Sequence, residues 1–527
     1  MKGIVTGVGS FESLIRGGYL YVDKTKYLYE LVTRPSMYYF LSRPRRFGKS
    51  LTLSTFEAIF KGKRDLFKGL YLDSTDYDWK EYPVIHMDFS CIHFDAVEGL
   101  KCQIKNSLLE IAAQYKITIP SNYEYNEVLI VLISQLAEKE GVVVLIDEYD
   151  SILTNSINDE HIEDIRNVLR GFYSVLKSQS ANIRMCFITG VTKFSKMSIF
   201  SSMNNLTDIS MNEKYATMLG YTQQELEYNF ADYIDAGVQK KKTTREKYLE
   251  DVKTWYDGYC FAPETESVYN PVSVGSFFSE GGKIFTNYWI STGGMPYILT
   301  EVAKRVHFDI SFDTKLEVPS SVLKGVDLIQ MVKTEVNKDN FLALLYQSGY
   351  LTIKSAELIG GSYLITLDYP NKEVKEGLNE ILLPLYLGTK AGAFKGQRVL
   401  KLFYNGNVDA AMTSLSTIYA SIPYNELVFN AENVWHASFL SMLTLMGAEI
   451  VAEEPTNVGR IDAVITCPKY IYIIEFKFNQ SAEVAIAQIR SKKYWEKYLN
   501  KGKEIHLLGI NFSTEQKNIA QWKDEIL

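Results

Sequence analysis

The length, composition and charge of the chain exclude several classes of protein. Its 527 residues, of which 46% are hydrophobic and 23% charged, indicate an ordinary globular protein with about three domains. Its net charge of −7 gives no general affinity for nucleic acid, so any such binding requires a local basic surface or a metal ion.

The sequence lacks the features of a secreted or membrane protein. Residues 1–18 contain no apolar stretch of the signal-peptide kind, and no run reaches the roughly 18 apolar residues of a membrane span. The five cysteines are scattered without C-x-x-C spacing, which is typical of a reducing compartment and argues against a zinc site. We therefore expect a cytoplasmic protein that makes no membrane contact.

The first predicted element of chemical interest is a strand over 37–41 followed by a glycine-containing loop and an apolar helix. The segment 43–50 reads Arg-Pro-Arg-Arg-Phe-Gly-Lys-Ser, which matches G-x-x-x-x-G-K-[ST] except that Arg43 replaces the first glycine. This pattern places backbone N–H groups and a lysine against nucleotide phosphates at a helix N-terminus. The predicted nucleotide-binding residues here are Arg45, Arg46, Phe47, Gly48, Lys49, Ser50 and Leu51.

Two further apolar runs are followed by the acidic and hydroxyl residues that a nucleotide site of this kind requires. Residues 142–146 read as a strand buried on both faces, and Asp147 and Glu148 follow it directly. We expect Ser50 and Asp147 to bind the Mg²⁺ of ATP and Glu148 to polarise the attacking water. The run 183–188 leads to Thr189, whose hydroxyl is predicted to sense the γ-phosphate. These residues leave open whether ATP is hydrolysed or only bound.

The middle of the chain, 236–404, is harder to interpret. Its landmarks are the segments 255–259 (Trp-Tyr-Asp-Gly-Tyr), 269–271 (Tyr-Asn-Pro) and 291–296 (Ser-Thr-Gly-Gly-Met-Pro). Residues 300–400 combine helical apolar periodicity with short strand-like runs at 350–354 and 363–367. The prediction is a helical lid and a small winged-helix-like module.

The last hundred residues have a regular order of predicted elements. An amphipathic helix over 432–446 precedes three strand-like runs, a second helix over 482–499 and a last strand over 505–512. This αβββαβ order resembles the core of the PD-(D/E)XK nuclease superfamily, a restriction-endonuclease-like fold.

A candidate metal-dependent site lies on two of these strands. Asp462 and Glu475 are predicted to form, with a main-chain carbonyl, a hard oxygen site for Mg²⁺, with Mn²⁺ as an alternative. Lys477 lies on the same side of its strand as Glu475, where it would orient water and offset charge on the phosphate. The superfamily resemblance implies supporting roles for Glu432 and Gln488. The alternative is that these charges have no function and mark the point where the strand emerges into solvent. Charges on an otherwise apolar strand favour a binding partner instead.

Nearly the whole chain resembles one family. Its characteristic segments are 21–25 (Tyr-Val-Asp-Lys-Thr), 43–50, 147–150 (Asp-Glu-Tyr-Asp) and 189–196 (Thr-Gly-Val-Thr-Lys-Phe-Ser-Lys). They are similar to those of the AAA-ATPase-like family found in bacterial proteins that end in a PD-(D/E)XK nuclease domain. In that family the segment 43–50 itself begins with arginine, so Arg43 in place of glycine is part of the resemblance.

These predictions combine into an α/β protein with three domains. They are a P-loop ATPase over 1–235, the helical and winged-helix-like region over 236–404 and the nuclease-like domain over 405–527. The predicted function is an ATP-binding, nucleotide-regulated nuclease that acts on DNA or RNA, and the resemblance leaves a homo-oligomer open. The alternative is a nucleotide-driven switch whose C-terminal domain binds nucleic acid or protein without cleavage.

Overall fold

The computed structural model describes most of the chain. The chain divides into two compact units. The first unit contains the described residues up to Lys375, and the second contains those from Glu376 to Leu527. The described residues are 1–34, 37–137, 140–193, 200, 203, 205–292, 299, 302, 316–326, 331, 337–386, 392–420, 432–456 and 458–527. The three-domain division stays a prediction.

The first unit is built on a sheet of five parallel strands. The strands are β1 (Met37–Ser42), β2 (Val84–Asp88), β3 (Val142–Asp147), β4 (Ile183–Gly190) and β5 (Leu206–Asp208), in the order β2-β3-β4-β1-β5. Every residue of β3 is buried, as expected for a β-branched strand covered on both faces. The predicted parallel sheet is confirmed. Because β4 lies between β1 and β3, the carboxyl ends of these three strands meet at one edge.

Helices cover this sheet. The helix Lys49–Phe60, which we call the P-loop helix, contacts β2, β3 and β4. The other α-helices around the sheet are Phe11–Arg16, Thr25–Val32, Val97–Gln114, Tyr125–Leu136, Ser151–Asn155 and Ile162–Ser178.

The middle of the chain forms helices and a small sheet, so the predicted helical character of this region is confirmed. The helices are Gln223–Asn229, Ala231–Lys241, Arg245–Tyr256, Pro271–Ser279, Tyr288–Ser291 and Lys338–Ser348. An aromatic core that includes Phe230, Tyr248, Tyr256 and Phe277 holds the earlier ones together. The strands β6 (Leu316–Pro319), β7 (Thr352–Ile359) and β8 (Ser362–Asp368) form an antiparallel sheet in the order β6-β8-β7. Residues 293–296 of the third landmark lie outside the described residues.

The helix Lys372–Tyr386 contains the point at which the chain passes from the first unit to the second. The second unit then contains the helices Gly392–Tyr404, Val408–Ala420, Glu432–Leu445 and Ala482–Lys492. Its sheet consists of β9 (Glu449–Thr456), β10 (Gly459–Thr466), β11 (Tyr470–Phe478), β12 (Glu504–Ser513) and β13 (Asn518–Ile526), in the order β13-β12-β11-β10-β9.

The helix Ala482–Lys492, which we call the site helix, is the crossover between the parallel strands β11 and β12. The core of a PD-(D/E)XK fold predicted from the sequence is therefore present. The site helix ends earlier than predicted because Lys493 adopts a left-handed conformation (φ 49°), and the chain continues as a 3₁₀-helix over Tyr494–Lys501.

The strand β13 is an addition to the predicted αβββαβ order. It pairs antiparallel with β12 at the edge of the sheet. It was missed because its sequence, Asn-Ile-Ala-Gln-Trp-Lys-Asp-Glu-Ile, has no apolar run and is largely half-buried.

All five cysteines are free thiols, and Cys186 and Cys467 are buried. Among the helices in the described part of the chain, none combines the length and the apolar composition needed to cross a membrane.

Candidate nucleotide and nuclease sites

The loop between β1 and the P-loop helix has the conformation that its sequence predicts. Gly48 adopts a left-handed conformation (φ 92°) directly before the helix, and an added Cβ would have no neighbour within 4 Å on its open side. Arg46 is also left-handed (φ 68°), which is unusual for a residue with a side chain. The loop therefore leaves the backbone at the start of the helix open to an anion.

Lys49 connects this loop to the acidic end of β3. Its side chain is buried, and Nζ donates hydrogen bonds to the carbonyl oxygens of Arg43 (3.2 Å) and Pro44 (3.3 Å). The same atom lies 3.4 Å from Oε1 of Glu148. Glu148 has a left-handed backbone (φ 48°), a strained conformation that is commonest at functional sites.

Asp147 and Thr189 contact each other across neighbouring strands. The Thr189 hydroxyl donates a hydrogen bond of 2.5 Å to Oδ1 of Asp147, which also accepts the Glu148 N–H at 3.0 Å. Both side chains are buried. Thr189 therefore orients the carboxylate predicted to bind Mg²⁺, and its own contact with the γ-phosphate stays a prediction.

A cavity of about 620 Å³ lies against the P-loop, and its size suits a nucleotide. The residues that line it include Glu148, which follows β3 directly, and Arg45, Arg46, Phe47, Gly48, Lys49, Ser50 and Leu51. Residues 4–9 and 218–221 also line it, and sequence reasoning missed them because neither segment carries a phosphate-binding pattern.

Arg43, at the position of the usual first glycine, is an internal brace. Its guanidinium is buried and donates hydrogen bonds to the carbonyl oxygens of Ser42 (2.9 Å), Ser210 (2.7 Å) and Tyr215 (3.1 Å). It also lies over the ring of Phe261, 4.1 Å from the centroid. Arg43 therefore links the loop to the chain beyond β5.

The second unit brings the predicted nuclease residues together on β10 and β11. In the antiparallel register Ala463 pairs with Ile474, so Asp462 and Glu475 occupy the next opposing positions. Oδ2 of Asp462 accepts the backbone N–H of Phe476 at 2.8 Å. Two carboxylates thus lie side by side at the end of the paired strands.

Glu475 is the most constrained group of this site. Lys477 Nζ lies 3.1 Å from its Oε1, and the side-chain amide of Gln488, on the site helix, donates a hydrogen bond to the same oxygen. Its Oε2 is buried and has no hydrogen-bond donor among the described residues. Burial and the charge of Asp462 raise the pKa of Glu475 to about 7, against the opposing effect of Lys477.

Tyr494 is a site residue that sequence reasoning missed. Its side chain is buried, and burial raises the pKa of its hydroxyl, with smaller contributions from the charges of Glu475 and Asp462. A Cβ added to Gly459 would lie 3.1 Å from this hydroxyl, so the strand approaches it closely. The only available signal was an aromatic residue shortly after the site helix, which is too common to identify a site.

Comparison with known proteins agrees with this architecture. Residues 5–200 match the model of a family described as predicted AAA-ATPase, and residues 430–522 match a PD-(D/E)XK nuclease superfamily model. A protein of Azotobacter chroococcum mcd 1, described as "Uncharacterized protein in vnfD 5'region", is 33% identical over 539 residues, which cover 100% of this chain and 99% of the relative. The chain belongs to this AAA-ATPase-like family. It combines an ATPase-like domain with a nuclease-superfamily domain.

The nuclease-like site of this AAA-ATPase-like protein fits a divalent cation. Two adjacent carboxylates, one with a buried oxygen that lacks a donor, are hard ligands of the kind that Mg²⁺ prefers. Within the described residues, no group of three or more His, Cys, Asp or Glu side chains is placed to hold a metal ion. Asp462 and Glu475 would therefore be completed by a main-chain carbonyl and water.

The remaining predicted residue of the AAA-ATPase-like protein is Glu432. It begins the helix Glu432–Leu445, which contacts β9 and β11. Its side chain is outside the part of the chain that the structure describes, so its supporting role stays a prediction.

Proposed function

We propose that this protein binds ATP with Mg²⁺ in its first unit and thereby regulates a Mg²⁺-dependent nuclease in its second unit, with DNA or RNA as substrate. The observation that carries the proposal is the convergence of Asp462, Glu475, Lys477 and Gln488 at one buried point. A carboxylate as buried as Glu475, with one oxygen lacking a donor, is costly unless a cation binds there.

The side chains suggest how phosphodiester hydrolysis would proceed. A divalent ion held by Asp462 and Glu475 would act as a Lewis acid and lower the pKa of a bound water. Lys477, close to Oε1 of Glu475, is placed to orient the attacking water and to offset charge on the phosphate. Gln488 holds the Glu475 carboxylate in a fixed orientation.

The nucleotide site supports binding of a triphosphate. Lys49 is close enough to Glu148 and the loop carbonyls to exchange those contacts for the β- and γ-phosphates. That exchange would free Glu148 to polarise water, while Ser50 and Asp147 hold Mg²⁺.

Basic residues on the site helix and in the segment after it favour a phosphate backbone as ligand. Arg490 and Lys497 pair with Glu525 and Glu454, but Lys492 and Lys501 are exposed and have no ion pair within the described part of the chain. Such cations attract nucleic acid despite the negative net charge of the protein.

The test incubates the purified full chain with Mg²⁺ or Mn²⁺ and labelled DNA and RNA, in the presence of no nucleotide, ATP or a non-hydrolysable analogue. We expect cleavage that Asp462→Ala abolishes and that Glu453→Ala, an exposed carboxylate of β9, leaves intact. Cleavage should depend on nucleotide, and Lys49→Ala should remove that dependence. No cleavage by the wild-type chain, with ATP still bound, would overturn the nuclease and favour the non-cleaving switch.

A further inference from the structure

Residues in or next to the three landmark segments of the middle region converge on residues 370–373. The first segment contributes Gly258, where φ is 105° and an added Cβ would lie 1.9 Å from the Pro370 carbonyl oxygen. The Asn371 side-chain amide donates a hydrogen bond of 2.8 Å to the carbonyl of Asp257. The chain just before the helix Lys372–Tyr386 is therefore held by Asp257-Gly258.

Ser273 and Trp289, which lie just outside the second and third segments, bind Glu373. Asn270 caps the helix Pro271–Ser279, which places the Ser273 hydroxyl 2.7 Å from Oε2 of Glu373. The backbone N–H of Trp289 donates to Oε1 of Glu373 at 2.8 Å. Glu373 is fully buried, and a buried carboxylate is tolerated only with such donors.

Trp289 also contacts the nucleotide loop. Its indole N–H donates a hydrogen bond of 3.0 Å to the carbonyl oxygen of Arg45, a cavity-lining residue of the P-loop. Three residues later, the Thr292 carbonyl accepts a hydrogen bond of 2.8 Å from the Arg46 guanidinium. The Trp289 ring is fully buried against Tyr350, so it cannot shift without moving its neighbours.

The helix Lys372–Tyr386, whose first turn contains Glu373, continues into the second unit. There the Asn379 side chain is buried and donates a hydrogen bond of 3.0 Å to the carbonyl of Thr444. Thr444 belongs to the helix Glu432–Leu445, which contacts the strand that carries Glu475 and Lys477.

We infer that Trp289 is a positioning residue through which the nucleotide-binding loop acts on Glu373 and on the helix that leads into the nuclease-like unit. A change in the loop backbone at Arg45 moves the Trp289 indole, and the backbone of Trp289 moves with it. Because the backbone N–H of Trp289 binds Glu373, the first turn of the helix Lys372–Tyr386 is displaced as well. This inference rests on the proposed function, since it names how nucleotide binding regulates the nuclease-like site.

The test uses Trp289→Phe, which removes the indole N–H and keeps an aromatic ring. Trp79→Phe is the matched control, because Trp79 packs against Phe67 in the first unit, away from these contacts. Hydrogen–deuterium exchange of peptides covering 376–386 is compared with and without the non-hydrolysable ATP analogue. The cleavage rate is measured under the same conditions, and nucleotide affinity is measured by titration with a fluorescent analogue.

We expect nucleotide to change exchange in 376–386 in the wild type and in Trp79→Phe, and not in Trp289→Phe, which should still bind nucleotide. The nucleotide effect on cleavage should fall from on the order of tenfold to less than about twofold. An unaltered exchange response in Trp289→Phe would overturn the inference. The expected exchange pattern without cleavage in any variant would support the inference and refute only the nuclease.

A second pair of variants keeps the test independent of the stability of Trp289→Phe. Glu373→Gln retains an oxygen that can accept the Trp289 N–H, and we expect it to keep the exchange response. Glu373→Leu has a similar volume and no acceptor, and we expect it to lose the response. Equal responses in these two variants would contradict a role for the Trp289–Glu373 hydrogen bond.

Discussion

The side-chain amide of Gln488 donates a hydrogen bond to Oε1 of Glu475, so the site helix fixes the orientation of a carboxylate on β11. The parallel pairing of β11 with β12 requires this helix as the crossover, and the crossover returns across the face that carries Glu475. The topology of the fold therefore supplies the partner of the candidate metal ligand.

Gln488→Ala should lower the cleavage rate by about 10- to 100-fold, because residues that orient metal ligands commonly have effects of this size. Added Mg²⁺ should partly restore the rate. Glu483→Ala, an exposed change on the same helix, is the control for the assay of cleavage against Mg²⁺ concentration. Equal rates for the two variants would contradict a positioning role for Gln488.

Glu475 should give cleavage a distinct pH dependence. A metal ligand must be deprotonated, so the rate at limiting Mg²⁺ should rise as pH increases through about 7, the raised pKa of Glu475. Saturating Mg²⁺ should shift this rise to lower pH. A pH profile at limiting Mg²⁺ that is flat between about pH 6 and about pH 8 would disprove the assignment.

The same carboxyl should affect stability in the metal-free protein. Its folded pKa of about 7 exceeds the ordinary value of 4.5, so the folded state binds the proton more tightly. The resulting stabilisation is present below the ordinary value and is lost as pH rises towards about 7. Thermal unfolding of Glu475→Gln should therefore show a weaker loss of stability over this range than the wild type. The same pH dependence of thermal stability in the variant and the wild type would contradict this role of Glu475.

Tyr494→Phe should lower cleavage less than Gln488→Ala does. The change removes a hydroxyl whose pKa responds to the charges of Glu475 and Asp462 and keeps the buried ring, so we expect a loss of about tenfold or less with the fold intact. Trp495→Phe, at the neighbouring position, serves as the control. Steady-state cleavage and circular dichroism check the two expectations, and a loss greater than that of Gln488→Ala would indicate direct participation by Tyr494.

Lys49→Ala should weaken ATP binding on the order of 10- to 100-fold, the range expected for hydrogen bonds that involve a charged group. Lys61→Ala, just beyond the end of the P-loop helix, removes a cation of the same charge outside the cavity and should leave affinity unchanged. Titration calorimetry distinguishes the two. Equal affinities would mean that the cavity does not bind phosphates through Lys49.

Arg43→Gly, which restores the usual glycine of the loop pattern, should destabilise the protein. It removes the buried guanidinium that serves three carbonyl oxygens, and we expect a loss of about 3 kcal/mol in the free energy of unfolding. Lys68→Gly, a change at an exposed position, shows how much stability is lost through the introduction of glycine alone. Chemical denaturation is the measurement, and a variant as stable as the wild type would show that Arg43 is not a brace.

Local patterns in the sequence predict the chemistry of both sites. Period-two and continuous apolar patterns located β1, β3, β4 and the strands that carry Asp462 and Glu475, because burial of alternating or continuous apolar faces depends only on neighbouring residues. The spacing of Glu475 and Lys477 placed both side chains on one face. The glycine and lysine of the P-loop pattern predicted the open backbone at the start of its helix.

The distant residues that complete these sites are brought there by tertiary packing. Tyr494, the brace made by Arg43 and the walls of the nucleotide cavity depend on packing between segments far apart in sequence, which no local pattern encodes. The contacts of Asp257, Ser273 and Trp289 with residues 371–373 likewise join segments that are far apart in the sequence. Hydrogen bonds of this kind are set by strand order and helix packing, so they follow from the fold as a whole.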